Sequence, residues 1–498
     1  MTGWLTLSRR RLLTLVGLGA IAEPAAAMAD EAGSAAVTAQ PEREVWKHFF
    51  AVQRVWAYID RHSIKPGETF NLMLAQGPAE PGRRVWVEFF RIGEGEPLLV
   101  WKSPAFETKA HAAARTAAAL GPGWPPALAN VDTRTWPPGC YSADVVEDTT
   151  GIRDVQVVQF IVANPRRGAD ILVRLGTNTY QAYNSWGGHS LYPSESDTQR
   201  GQMVAFDRPC GPAFFEYDAF LVSWLEGVAR RRGWRVDYAS NFDVHANPLL
   251  LSRYRLVISA SHDEYWSAEE FDAFEQRIFR EGKATAFLGA NAAYYQVRYA
   301  DLNRPPKGAD YGRQMVCYKT LSDPIAGRVT AREADRLATA RFREGARRPE
   351  TMLLGGAYQS WFDPSSGQRP AYRVASTDLP PFQGVGWAEG DIAADVVGYE
   401  WDNRDPDGDG ARLHDPARSI NAAIDPAAVK VLFRGEAVDS AGKPGRAEAV
   451  YYRSAAGAKV FDAGAIRWAW GLGKPGFANL KFRQFNENLI AWLLTAGR

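Results

Sequence analysis

Residues Arg255 to Asn291 read RLVISASHDEYWSAEEFDAFEQRIFREGKATAFLGAN. Leu256-Val257-Ile258 is too short an apolar run for a helix and has the β-branched content of a buried strand. Ser267 stands three residues before Glu270, a capping box at the head of a helix. Phe271, Phe274, Ile278 and Phe279 recur at helical spacing, Gly282 ends the helix, and Ala284 to Leu288 reads as the next strand. The pattern is a βαβ unit. In open α/β sheets ligands bind beyond the carboxyl ends of the strands. That edge holds the polar loop Ser259 to Trp266 and the tip Gly289-Ala290-Asn291. His262 and Glu264 are two apart, so in an extended segment both point to one side. A His, an Asp and a Glu packed at a strand end form either a site or a well-solvated loop, and the site is the favoured reading.

Working outward, Ile171 to Leu175 is another buried strand, followed by GTNTYQAYNSWGGHSLY (176–192). Residues Phe220 to Arg231 form an amphipathic helix and Trp234 to Tyr238 a strand. Alternating strands and helices predict a parallel sheet covered on both faces. Upstream the pattern is β. Arg84 to Arg91 alternates with period two, and several short strands between Trp46 and residue 165 predict an immunoglobulin-like β-sandwich. Pro138-Gly139-Cys140-Tyr141 enters one of its late strands, which reads Tyr141 as a structural tyrosine. Downstream, strands are predicted near Tyr294–Tyr299, Val429–Phe433, Ala449–Tyr452 and Lys459–Asp462, and a helix over Lys481–Thr495. Asp405, Asp407, Asp409 and Gly410 resemble the start of a calcium loop, but Pro416 stands where its closing Glu belongs, so an acidic turn is expected.

The chain opens with Ser8-Arg9-Arg10-Arg11-Leu12-Leu13, an apolar run to about Ile21, and the A-x-A site Ala27-Met28-Ala29. This predicts a twin-arginine export signal over 1–29, a disordered lead-in over 30–45, and a periplasmic or secreted protein. The domain organisation expected is then a sandwich over 46–165 and an α/β domain over 166–498. With 58 basic and 57 acidic residues there is no electrostatic footprint for nucleic acid. Cys140, Cys210 and Cys317 lack metal-site spacing and leave any disulfide pairing open.

Nucleophilic catalysis is disfavoured, because no G-x-S-x-G or equivalent Cys sits at a strand-to-helix turn. Oxygen and nitrogen donors dominate the loops. Scarce histidines count against zinc, and tyrosines against calcium. Tyr180 and Tyr183 lie near the end of the first α/β strand. Tyrosine is a poor ligand for divalent ions at neutral pH, but a hard trivalent cation can hold it as tyrosinate. From spacing alone these tyrosines read as an aromatic pocket wall.

GTNTYQAYNSWGGHSLY, SHDEYWS and FLGAN resemble the N,N-dimethylformamidase large (beta) subunit-like family, over roughly Trp46 to the C-terminus. The resemblance implies an immunoglobulin-like sandwich followed by a glutamine-amidotransferase-like (flavodoxin-like) three-layer α/β domain with C-terminal β-rich additions. It also implies one mononuclear non-haem ferric ion (Fe3+) bound by two tyrosinates and a glutamate, and hydrolysis of a small linear amide. Carried over, the glutamate is Glu264, one tyrosine is Tyr183 in QAYNSWGG, and the second is Tyr141 in PPGCYS. His262 and Asn291 match the supporting catalytic pair, with Glu264 sharing in the proton handling. The implied partners are an amide-like small molecule and either a second copy or a small partner subunit. The rival reading is a metal-free exported binding protein, for carbohydrate or another small molecule, on the same fold.

Overall fold

The computed structural model describes residues 55–495, apart from 78–79, 114–115, 149–152, 165–167, 194–199, 301–311, 405–414, 416, 418–423 and 425. Of 153–157 and 426 only the backbone is described. The export signal, the lead-in and the acidic Asp405–Gly410 loop lie outside the described residues. No described helix is long and apolar enough to cross a membrane.

The protein is mixed α/β. Towards the N-terminus it is a pair of packed antiparallel sheets. Val55–Ile59, Thr69–Gln76 and Pro126–Asp132 form one. Arg84–Arg91 is central in the other, flanked by Leu98–Lys102 and Gly139–Glu147, with Arg153–Val162 beyond. Alternation along each strand sends Val85, Val87 and Phe89 inward to meet Phe70, Trp136 and Phe160.

The rest of the chain is built on a nine-stranded sheet. Its order is Val236–Ala239, Ile171–Arg174, Leu256–His262, Ala284–Ala290, Lys459–Asp462, Pro444–Arg453, Lys430–Val438, Tyr372–Val374 and Ile392–Ala394. The first five run parallel and the others pair antiparallel. Every residue of Leu256–His262 and of Ala284–Ala290 is buried, as a strand covered on both faces requires. Ile171, Val173 and Ile258 pack under the helix Ala219–Arg232 and the C-terminal helix Leu480–Leu494. Leu172, Val257 and Phe287 pack on the other face against the helix Ala268–Glu275. The capping box holds: Ser267 accepts from the Glu270 N–H, and the Glu270 carboxylate accepts from the Ser267 N–H. Phe482, Phe485, Leu489, Ile490 and Leu493 are all buried, each stabilising the docked C-terminal helix by about 1.5–3 kcal/mol.

The β-rich C-terminal strands continue the α/β sheet, with Lys459–Asp462 beside Ala284–Ala290. One expectation changes. Residues read as loop after Ile171–Leu175 include a short buried helix, Thr177–Tyr183. Cys140, Cys210 and Cys317 form no disulfide.

Candidate functional site

The carboxyl ends of the parallel strands converge on one buried cluster. Arg174 ends its strand with a fully buried guanidinium. It donates to Asp263 Oδ1 at 2.7 Å, to Glu270 Oε1 at 3.3 Å and to Ser259 Oγ at 3.1 Å, and lies 4.3 Å over the Trp266 ring. These contacts clamp the loop that follows Leu256–His262 to its own helix. Gly289 faces Ser261 across the ladder, and a Cβ there would stand 1.5 Å from the Ser261 carbonyl oxygen. Only glycine lets the two strand ends approach so closely. Ser261 and Asn291 take positive φ, 37° and 54°, and turn the chain beyond the sheet.

Glu264 is the centre. The Tyr183 hydroxyl donates to its Oε2 at 2.8 Å, and the Tyr192 hydroxyl donates to Oε1 at 2.8 Å. The two phenol oxygens are 2.9 Å apart, and Tyr192 Oη is 3.1 Å from Oε2. Tyr265 donates to the Tyr192 oxygen at 2.8 Å, and Lys319 Nζ sits 3.3 Å above the Tyr192 ring. His262 Nε2 lies 3.3 Å from Glu264 Oε2 and 3.4 Å from Glu400 Oε2, bridging two carboxylates. Asn291 Nδ2 donates to Glu400 Oε2 at 2.9 Å, and its backbone N–H to Asp402 Oδ1 at 2.8 Å. Asn291 Oδ1 is buried with no partner among the described residues.

Burial alone would raise the Glu264 pKa, but the His262 hydrogen bond, the Lys319 charge and the Tyr192 hydroxyl bring it below the usual carboxylate value. Burial, and then the Glu264 charge, hold both Tyr183 and Tyr192 well above the ordinary phenol value. The trio is therefore one carboxylate accepting hydrogen bonds from two protonated phenols. Burial pushes Asp402 up to about 7, and burial with the Asp402 charge raises its neighbour Asp462.

Of the residues anticipated from sequence, Tyr183, Glu264, His262 and Asn291 come together. Tyr141 does not join them. It is fully buried in the sandwich, its ring stacked 5.4 Å from Trp136 and from Phe160, and its hydroxyl donates to the Pro137 carbonyl. A tyrosine bonded back to the chain a few residues upstream closes a sandwich corner, which is the structural role its Pro-Gly-x-Tyr setting suggested. Tyr192 stands beside Tyr183 instead. Tyr180 points elsewhere, donating to Asp218 Oδ2 at 2.5 Å. Sequence reasoning missed Tyr192, Lys319, Glu400 and Asp402. For the two acids a signal existed: they stand two apart on the strand Glu400–Asn403, the same spacing as His262 and Glu264.

The donor set suits a hard cation. In an octahedral site with metal–oxygen bonds of about 2.0–2.1 Å, adjacent ligand oxygens lie about 2.8–3.0 Å apart. Tyr183 Oη, Tyr192 Oη and Glu264 Oε2 form a triangle with sides of 2.8, 2.9 and 3.1 Å. Among the described residues no group of three or more His, Cys, Asp or Glu is arranged to hold a metal, so any metal here would need the phenols.

A family model described as N,N-dimethylformamidase beta subunit-like, C-terminal, matches residues 87–480, most of the chain and all of the cluster above. No curated protein matches the sequence.

Proposed function

Because the chain belongs to the N,N-dimethylformamidase beta subunit-like family, we propose that it is an exported metal-dependent hydrolase that cleaves a C–N amide bond. On this reading the two-sheet unit is immunoglobulin-like, the parallel half of the large sheet is glutamine-amidotransferase-like, and the twin-arginine signal delivers the protein to the periplasm. The observation that carries the reading is the triangle of phenol and carboxylate oxygens from Tyr183, Tyr192 and Glu264. Those three residues would hold a ferric ion, as two tyrosinates and a carboxylate.

Such an ion supplies Lewis acidity, polarising an amide carbonyl or lowering the pKa of a bound water. The remaining residues handle protons and orientation. Glu400, held by Asn291 Nδ2, accepts the proton of the attacking water at Oε2. His262 Nε2, between Glu400 and Glu264, carries that proton towards the leaving nitrogen. Asn291 Oδ1 accepts a hydrogen bond from the attacking water or from a substrate that carries a donor. Near-complete burial of these groups keeps bulk water away and strengthens each charge interaction. The family name makes a partner subunit plausible beside a small amide substrate.

The test is metal analysis with a visible spectrum on protein recovered from its export route. About one iron per chain, with a broad tyrosinate-to-iron band that Tyr183→Phe and Tyr192→Phe each abolish, supports the hydrolase. A colourless protein that takes up no iron on reconstitution removes the metal site and favours the metal-free binding protein.

A further inference from the structure

A second polar site lies away from this cluster, where the sandwich meets the α/β region. Arg208 is fully buried, yet every acceptor it meets is neutral. Its Nε donates to Gln181 Oε1 at 3.2 Å and to the Ala205 carbonyl at 3.0 Å. Nη1 donates to the carbonyls of Trp186 (2.8 Å) and His189 (3.2 Å), and Nη2 to that of Gln181 (2.9 Å). Among the described residues no carboxylate answers its charge. Burial lowers the guanidinium only to about 9, so it stays charged at neutral pH, and the nearby Cys210 thiol, pushed up to about 12 by burial, stays neutral. A buried cation without a counter-charge costs several kcal/mol, roughly the scale that a bound anion would recover.

The same region holds a half-open cavity of about 80 Å³. His62 and Gln159 line it from the sandwich, and Gln181, Arg208, Cys210 and Arg313 from the other side. Among the described residues, two of these carry buried donors with no acceptor: Arg313 Nη1 and Gln159 Nε2. Arg313 is only 5% exposed. Its Nε and Nη2 meet Asp207 Oδ1 at 3.0 and 2.7 Å, and Nη2 also meets the Ile59 carbonyl at 3.3 Å, which leaves Nη1 over. His62 brings no further charge, because burial and the Arg313 charge hold it well below its usual pKa.

The charges sum simply. Asp207 offsets Arg313, Asp60 offsets Arg61, which also lines the cavity, and Arg208 leaves one positive charge over. We propose that this cavity binds one small monovalent anion, a halide or a one- or two-carbon carboxylate, hydrogen-bonded by Arg313 Nη1 and Gln159 Nε2 and neutralised by Arg208. A dianion would overshoot the charge, and the small interior of the cavity favours an anion of few heavy atoms. The anion braces the helix Thr177–Tyr183 through Gln181 and joins it to the sandwich strand that carries Gln159.

The experiment is thermal denaturation of the full-length protein in sodium chloride, formate and acetate against the bulkier gluconate, at one ionic strength. Binding to the folded state alone gives a saturable rise, about 2 °C or more, in at least one of the three salts. A chloride response identifies a halide site and a formate or acetate response a carboxylate site. Gln159→Leu, at a half-buried position that keeps both arginines, should remove the rise. Crystals soaked in the responding anion, with bromide for chloride, should show it at hydrogen-bond distance from Arg313 Nη1. Equal melting in all four salts, a rise that survives Gln159→Leu, or an anion seated only elsewhere overturns the proposal.

Discussion

Replacing Arg174 by Met tests whether its buried guanidinium holds the central loop in place. The guanidinium is the cation between Asp263 and Glu270, both essentially inaccessible. Burial, with the Asp263 charge, raises Glu270 to about 8, although Arg174 opposes it, so Glu270 holds its proton near neutrality. Asp263 keeps only the Ser259 hydroxyl and a 3.3 Å contact from Asn241 Nδ2 once Arg174 is gone. Breaking a buried ion pair from one side costs about 3–5 kcal/mol, against a total stability of about 5–15 kcal/mol. Methionine refills some of the volume against Trp266, so little of the loss is cavity. Urea denaturation should show that loss at pH 8 and a smaller one at pH 5.5. In the wild type Glu270 gains its charge as the pH rises towards about 8, so the attraction that the substitution removes is greater at pH 8 than at pH 5.5. Arg174→Lys, which restores charge but not the fork, should fall between. A loss below about 1 kcal/mol, or an equal loss at both pH values, would refute the argument that this charge fixes the loop.

Three further outcomes are expected. Gly289→Ala must force the paired backbones apart at a point where a Cβ would stand 1.5 Å from Ser261 O, costing about 3 kcal/mol or more in strained and unmet hydrogen bonds; near-wild-type melting would contradict the close approach. Asp218 and Asp402, each pushed up to about 7 by burial, keep protons that the unfolded chain releases near pH 4, so their contribution is full below that and lost as the pH rises to about 7. The melting temperature should therefore fall from pH 5 to pH 8, and Asp402→Asn should flatten the fall; a rise over that range would count against it. Tyr141→Phe should cost about 1–2 kcal/mol in urea for its lost bond to Pro137 O and leave metal uptake unchanged, whereas Tyr192→Phe should impair uptake.

Elements with strong local signals were legible in the sequence. The helix from Ala268 announces itself by its capping box and apolar spacing, and the strand Arg84–Arg91 by its alternation. Thr177–Tyr183 does not: it is seven residues long, starts at Gly176 without a side-chain cap, and is rich in Thr, Asn and Tyr, which favour helix weakly. His262 and Glu264 were readable because strand period and topology both place them at the ligand edge. The choice between Tyr141 and Tyr192 was not, since it depends on where two loops meet in space. Glu400 reaches the cluster through a two-stranded ribbon with Ala357–Trp361, a long-range pairing that no local pattern encodes.

The join between Ala284–Ala290 and Lys459–Asp462 also governs how the protein is made. About 170 residues separate the two strands, and doubling that loop would add only about 0.6 kcal/mol of closure entropy. The long excursion is thermodynamically cheap but kinetically slow, because distant pairing comes after its entropic cost. Until Lys459–Asp462 emerges, the apolar strand Ala284–Ala290 is a raw sheet edge, the kind that recruits other chains. Glu400 and Asp402 come to the cluster with the same late segments, for their ribbon packs against the closing strands through Trp401 and Ala465. Nascent chains thus hold the tyrosines and Glu264 before the carboxylates that complete the pocket, and the cluster matures only when the sheet closes.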